Sequence, residues 1–306
     1  MKPYIGRLAP SPTGALHLGN IRTFMIAWLR ARSIGGKLIF RMEDLDHPRD
    51  KPGAAQEIID DLHWLGFDWD EEYTQSARRE IYRKYTNELF QKKIIYPCVC
   101  SRKDVEAAQS APHEGDQLFY GGKCRDKFSS WEDAAKTLPS PRQPCWRFKT
   151  PPNTTIAFED NFVGPFSMNV SNTLGDFPIA RDKDGAGYTL ASVVDDYLSG
   201  VTEVVRGDDL LPATPAQILI GNALGFSIPE YFHVPLVVGS DGKRLAKRHG
   251  DTRIKTFREN GWTAERIIGR LAHSCGWTNG EDISLKELLP LFSPQSIPAF
   301  PLQFCS

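Results

Sequence analysis

The sequence predicts an α/β protein built on a parallel sheet, interrupted by an α+β insertion and closed by a short helical tail. Three observations predict this. A strand–helix–strand rhythm occupies residues 4–42, and the same rhythm returns from Tyr188. The stretch between Cys98 and Pro178 is irregular and interrupted by prolines.

The elements follow in order. Residues 4–8 read as a short strand, followed by a Pro/Ser/Thr/Gly loop at 10–14. A helix begins near Gly19, because Ile21, Phe24, Met25, Trp28 and Leu29 fall at i, i+3, i+4, i+7 and i+8 and form one apolar stripe. Gly35 and Gly36 stop it. Residues 37–42 carry Leu38, Ile39 and Phe40, the buried run of a parallel strand, so the first 42 residues form a βαβ unit. Helices are expected at 54–65 and 78–92. Within the irregular region, residues 145–149 are β-like. Further on, 200–206 reads as a strand, 215–224 as a helix, 232–238 as a strand and 239–250 as a polar loop. From Thr252 the pattern is helical, with Ile267, Ile268 and Leu271, then Leu285, Leu288 and Leu289. No internal repeat is evident.

Composition excludes several classes. Among the 306 residues 41% are hydrophobic and 25% charged, the usage of a globular chain that buries a core. The formal net charge of −1 leaves no global basic field, so nucleic acid would have to be gripped by a local groove. No apolar run nears the roughly 18 residues that span a bilayer, and the N-terminus lacks a signal-type apolar stretch, so a cytoplasmic protein without membrane contact is expected. Six cysteines at this length are too sparse for a disulfide framework.

Chemistry concentrates in a few segments. Arg7-Leu8-Ala9-Pro10-Ser11-Pro12-Thr13-Gly14-Ala15-Leu16-His17-Leu18-Gly19-Asn20 joins the first strand to the first helix. A helix N-terminus presents unpaired N–H groups and partial positive charge, which suits phosphate. On spacing alone the segment is equally a tight turn with a capping histidine. Neither the dinucleotide fingerprint nor the Walker loop is present. Likewise, Ser240-Asp241-Gly242-Lys243-Arg244-Leu245-Ala246-Lys247-Arg248 alone is a solvated basic turn.

Together these segments resemble the class I aminoacyl-tRNA synthetases. His17-Leu18-Gly19-Asn20 is similar to the HIGH motif, Arg244–Arg248 is similar to the mobile KMSKS loop, and residues 7–14 resemble the glutamyl/glutaminyl branch. The departures are Asn20 for the last His, Arg244 for the first Lys and Ala246 for Ser. The resemblance implies a Rossmann-type nucleotide-binding fold and ATP, with Mg²⁺ carried mainly by its phosphates. His17 and Lys247 are then the groups stabilising charge at the α-phosphate, with Gly19, Asn20, Arg244 and Leu245 also at ATP. It further implies that L-glutamate is held by Arg7, Leu8, Ala9, Pro10, Ser11, Glu43, Tyr188 and Arg206, because an Arg fork suits a carboxylate and a carboxylate suits the α-ammonium group. Without the resemblance, Arg41, Glu43, Asp44 and Asp46 are an ion-pair cluster, Tyr188 is core and Arg206 pairs with Asp208 or Asp209.

Cys98, Cys100, Tyr120 and Cys124 resemble the Cys-x-Cys…Tyr-x₃-Cys zinc site of the family's acceptor-binding insertion, which implies one structural Zn²⁺. As a bare pattern, the two cysteines are equally two buried thiols. Cys145, Cys275 and Cys305 are expected to be bystanders. The resemblance spans residues 4–251 and divides the chain into a first Rossmann half (1–97), the insertion (98–178), a second Rossmann half (179–250) and a helical tail (251–306), with no anticodon-binding domain expected. Some paralogues of that form transfer glutamate to queuosine in the anticodon loop of tRNA(Asp), and Ser192, where charging enzymes carry Asn, agrees with them. This implies tRNA-independent activation and a tRNA(Asp) carrying queuosine as partner, with a monomeric enzyme expected. A shortened enzyme charging the tRNA 3′ end, and a catalytically silent RNA-binding paralogue, are the alternatives.

Overall fold

The structure, a computed structural model, describes residues 3–45, 51–107, 119–183, 186–239 and 252–303. Strand β1 (Ile5–Leu8), helix α1 (Leu18–Ser33) and strand β2 (Lys37–Met42) form the expected βαβ unit, with Ile5 opposite Lys37 in parallel register. Helix α2 (Ala54–Trp64) leads to strand β3 (Glu71–Thr74), which pairs in parallel with the far side of β2.

Helix α3 (Arg79–Gln91) precedes β4 (Ile95–Cys98). Short helices α4 (Arg102–Ala107) and α5 (Trp131–Ala135) precede β5 (Cys145–Phe148). The hairpin β6 (Thr155–Asp160) and β7 (Gly164–Asn169) runs into α6 (Val170–Thr173) and β8 (Pro178–Ala180). Strands β4, β5 and β8 make an antiparallel sheet, whereas β6 joins a different one. Its partner there is β10, in parallel at Asp160↔Tyr231.

The rhythm then resumes with α7 (Tyr188–Leu198), β9 (Glu203–Gly207), α8 (Thr214–Leu224), β10 (Glu230–Val234) and β11 (Val237–Val238). Helices α9 (Ile254–Glu259), α10 (Ala264–His273) and α11 (Leu285–Leu288) and the short strand β12 (Leu302–Gln303) complete the described chain.

Two expected boundaries differ for physical reasons. The strand predicted at 232–238 is split, because Pro235 has no N–H to give a ladder. The strand predicted from Gly200 begins at Glu203, since Gly200 turns the chain at φ +67°. Helix α1 is also buried more fully than its stripe predicts. Ile26, Ala27 and even Arg22 are buried on the side away from the stripe, while Phe24 is only half-buried. Packing from other elements explains this: Arg22 donates to Ser274 Oγ (3.2 Å) at the end of α10 and to Pro235 O (2.8 Å) between β10 and β11, fastening both over α1.

Strand β9 lies beside β1 in the same direction. Thr202 N donates to Ile5 O at 2.9 Å, and Arg7 Nη1 to Val205 O at 2.6 Å. The spatial order is therefore β3-β2-β1, then β9-β10-β6-β7. Strand order reverses between β1 and β9, and in open α/β sheets a crevice for ligands opens at the carboxyl ends of the strands at that point. The main core, including Leu8, Ile21, Met25, Trp28, Phe40 and Phe232, packs behind this crevice. A second core joins α3, α7 and α8 to the β4-β5-β8 sheet through Tyr82, Trp146, Leu190 and Ile220. No helix among the described residues is long and apolar enough to cross a membrane.

Candidate active site

A cavity of about 640 Å³ opens at the β1/β9 crevice. The first wall is the turn before α1. His17 is the helix N-cap, in extended conformation: its Nδ1 accepts from Gly19 N (3.1 Å), and Asn20 Oδ1 accepts from His17 N (3.1 Å). The capping histidine and the phosphate-ready helix end are thus the same residue. Because Nδ1 acts as acceptor, the proton of a neutral imidazole sits on Nε2, making that nitrogen a donor. A Cβ at Gly19 would stand 3.0 Å from His17 Cε1 and press on the capping ring. Asn20 fits its place as well, since its carbonyl takes the His17 N–H.

The second wall is electrostatic. Arg41, almost wholly buried, donates to Glu43 Oε1 (3.0 and 3.2 Å) and to Asp196 Oδ1 (2.6 Å). Arg7 sits 3.9 Å from the same Asp196 oxygen. Burial pushes the Glu43 carboxyl up against the pull of Arg41 and Arg7. Burial also lowers the Arg7 guanidinium, aided by Arg41 and Arg206 and opposed by Asp196. The loop at 9–14 is fastened to the end of β2 by Glu43 N donating to Pro10 O at 2.8 Å.

The third wall is Arg206 at the end of β9. It donates through Nε to His233 Nε2 (2.9 Å), through Nη1 to Tyr188 Oη (3.2 Å), and through Nη2 to Thr214 Oγ1 (2.8 Å) and Gln217 Oε1 (2.7 Å). Gln217 is held in turn by Ser192 Oγ at 2.8 Å.

Arg7, Ala9, Pro10, Ser11, His17, Gly19, Asn20, Glu43, Tyr188 and Arg206 all line this one cavity. Leu8 does not; it points into the main core. Tyr188, which could have been core, is 40% exposed, and Arg206 bonds to neutral groups instead of Asp208 or Asp209. Arg244, Leu245 and Lys247 lie outside the described residues, as does Asp46. The chain on either side of their loop is anchored at the cavity. Val237 lines it, and Thr252 O accepts from Leu18 N at 3.2 Å. Sequence reasoning missed Asp209 and Leu236 in the lining, and Thr214, Gln217, His233 and Asp160 behind Arg206. Gln217 and Thr214 sit at helical spacing on α8. Asp160 and His233 are brought together only by the β6–β10 pairing, which leaves no local signal.

The cysteine group lies in the insertion. The sulfurs of Cys98, Cys100 and Cys124 lie within 4.8 Å of one another, with Cys100 and Cys124 at 3.6 Å. Around a tetrahedral Zn²⁺ with Zn–S near 2.3 Å, ligand sulfurs stand roughly 3.8 Å apart, so the spacing fits. Tyr120 Oη lies 3.3 Å from Cys98 Sγ and 3.4 Å from Cys100 Sγ, where it can complete the shell. Arg147 stacks on the Tyr120 ring (4.0 Å) and donates to Cys98 Sγ (3.2 Å), so a positive charge already faces the sulfurs. Without metal, hydrogen bonding with Cys98 and burial push the Cys124 thiol up to about 12. Metal binding would therefore displace protons.

A capped helix N-terminus and a charged pocket at the switch point of a doubly wound sheet are the features of a nucleotide-handling domain. The model of the family "tRNA synthetases class I (E and Q), catalytic domain" matches residues 5–289, and the chain belongs to this family of ATP-dependent ligases. It is 46% identical over 300 residues to a glutamyl-Q tRNA(Asp) synthetase of Rhodopirellula baltica, covering 94% of this chain and 89% of that protein. It is 43% identical over 310 residues to a protein of the same name in Symbiobacterium thermophilum, covering 97% and 95%. A glutamate–tRNA ligase of Aquifex aeolicus is 40% identical over 303 residues, which are 97% of this chain and 63% of that one. Among solved structures, a glutamate tRNA ligase from Elizabethkingia meningosepticum in complex with its amino acid superposes with TM-score 0.82 at 29% identity, covering 99% of this chain and 67% of that one.

Proposed function

We propose that the protein activates L-glutamate with ATP, without tRNA, and transfers it to the queuosine of tRNA(Asp). The observation that carries the amino-acid assignment is Arg206. It is a buried guanidinium at the cavity whose acceptors in the protein are all neutral, so its charge is left for a carboxylate ligand. Arg7 and Ser11 assist at the substrate's side chain and Tyr188 shapes its pocket. Glu43 offers a carboxylate to the α-ammonium group. His17 Nε2–H and Lys247, with Gly19, Asn20, Arg244 and Leu245 around the nucleotide, stabilise the charge that builds as a glutamate carboxylate oxygen attacks the α-phosphorus and pyrophosphate leaves. Mg²⁺ carried by the ATP phosphates supplies further charge neutralisation there. In the second half-reaction a ring hydroxyl of queuosine attacks the glutamyl carbonyl, loses its proton and displaces AMP. Cys98, Cys100, Tyr120 and Cys124 hold one Zn²⁺ that braces the insertion and takes no part in either step.

The acceptor assignment is favoured by the identity that extends over 89% and 95% of the two relatives bearing the glutamyl-Q name. The test is glutamate-dependent ATP–pyrophosphate exchange without tRNA, followed by transfer of labelled glutamate to tRNA(Asp) with and without queuosine. Exchange without tRNA, and label confined to queuosine-bearing tRNA(Asp), are expected. Exchange only with tRNA(Glu) would restore the charging enzyme, favoured otherwise by the Aquifex relative, and no exchange under either condition would leave a silent paralogue.

A further inference from the structure

Behind Arg206 lies a buried pair that the proposed reaction does not use directly. Asp160, at the end of β6, and His233, next to the end of β10, are both almost wholly inaccessible. Asp160 Oδ2 takes the Nδ1 proton of His233 at 2.6 Å, while Oδ1 accepts from the backbone N–H groups of Phe162 (3.0 Å), Val163 (2.9 Å) and His233 (3.2 Å). So many donors hold Asp160 ionised and oblige His233 to carry its proton on Nδ1. The lone pair is then on Nε2, where Arg206 Nε donates. The ring is further fixed by Thr214 Oγ1 at 3.3 Å and by stacking on Tyr231.

This arrangement places an anion one imidazole ring away from the guanidinium instead of against it. A carboxylate in direct contact would neutralise Arg206 and compete with a ligand carboxylate. A neutral imidazole fixes the plane of the fork without cancelling its charge. Nε and both Nη2 protons are occupied at the back, and the Nη1 edge is directed to Tyr188 and the cavity. The other charged groups at or beside the cavity among the described residues are Arg7, Arg41, Glu43, Asp196 and Asp209; Asp196 is already held by Arg41, and Arg206 makes no hydrogen bond to Asp209.

We propose that His233, set by Asp160, is a positioning and specificity residue: it anchors Arg206 through a neutral acceptor so that the pocket selects a carboxylate over the corresponding amide. This rests on the assignment of Arg206 to the substrate's side chain, and the experiment separates the two. The enzyme is compared as wild type, H233Q, H233N and R206Q in ATP–pyrophosphate exchange with glutamate and with glutamine. The side-chain oxygen of Gln can stand where Nε2 stands, whereas that of Asn reaches only the Nδ1 position.

H233N is expected to raise the glutamate KM by about tenfold and to erode discrimination against glutamine, with kcat and the ATP KM within about twofold. H233Q should remain close to wild type. Equal effects in the two variants, or a general loss in which kcat falls and the ATP KM rises along with the glutamate KM, would overturn the proposal. Should H233N not fold, H233Q decides: near-normal glutamate KM upholds the anchoring role and a tenfold rise overturns it. If R206Q leaves the glutamate KM unchanged, it is the assignment of Arg206 that fails; if R206Q impairs glutamate and H233N does not, only the present proposal fails.

Discussion

His17 does two jobs with two nitrogens. Nδ1 caps α1, and Nε2 carries the ring's proton on a residue that lines the cavity. The two can be separated, because Asn is also a good N-cap. H17N is expected to leave the melting temperature nearly unchanged yet slow adenylate formation by about 10²-fold or more, the range for loss of one preorganised donor. H17A should lose the cap as well, about 1 kcal/mol of stability in urea denaturation. Lys247→Ala is expected to slow the same step with little effect on folding, measured by single-turnover exchange. Arg7→Ala should instead raise the glutamate KM and lower stability, because Arg7 Nη1 also bonds Val205 O across β1 and β9. A different residue governs a pH effect. Burial and the neighbouring Glu57 raise the Asp61 carboxyl to about 6, and its Oδ2 has no hydrogen-bond partner among the described residues. Since this lies above the unfolded value, the folded protein holds an extra proton between about pH 4 and 6, and stability falls as pH rises through that window. Asp61→Asn should therefore add on the order of 1–2 kcal/mol of stability at pH 8, seen as a higher melting temperature, and have little effect below pH 4.

At the scale of elements, the insertion depends on close backbone approaches as well as on its proposed metal ligands. Gly175 (φ +59°) lets Tyr120 N and O pair with the segment before β8, and a Cβ there would fall 2.2 Å from Tyr120 O. Gly175→Ala should thus displace Tyr120 and weaken metal retention, read as faster zinc release to a chelator; unchanged release would argue against Tyr120 as a ligand. Most of the α/β half was legible in the sequence. Strand β2 and helices α2, α3 and α8 follow from apolar periodicity and Gly stops, and β1, the loop at 9–14 and α1 come from one continuous segment. Much of the candidate site was legible for the same reason, as its residues sit at strand ends and helix starts. The β6–β7 hairpin and its pairing to β10 were not, because Tyr231↔Asp160 joins positions 71 residues apart with no local pattern. The Asp160–His233 support of Arg206 was hidden with it.

At the scale of the whole molecule, the cavity is assembled from parts of the chain that are remote in sequence. Residues 7–20 supply one wall, residues 188–210 another, and Leu236 and Val237 a third. The tail meets α1 through the Ser274–Arg22 hydrogen bond, so its packing bears on the helix whose N-cap is His17. The last described strand has a practical bearing as well. Leu302 N donates to Leu236 O (3.0 Å), and β12 runs in register with β11, whose Val237 borders the cavity. A purification handle fused behind residue 306 would therefore tug on the rim of the cavity proposed to admit nucleotide, while one placed ahead of Met1 would leave that rim alone. Two preparations of the enzyme differing only in the end that carries the handle are expected to differ in apparent nucleotide affinity, and the disparity should vanish once the handle is cleaved.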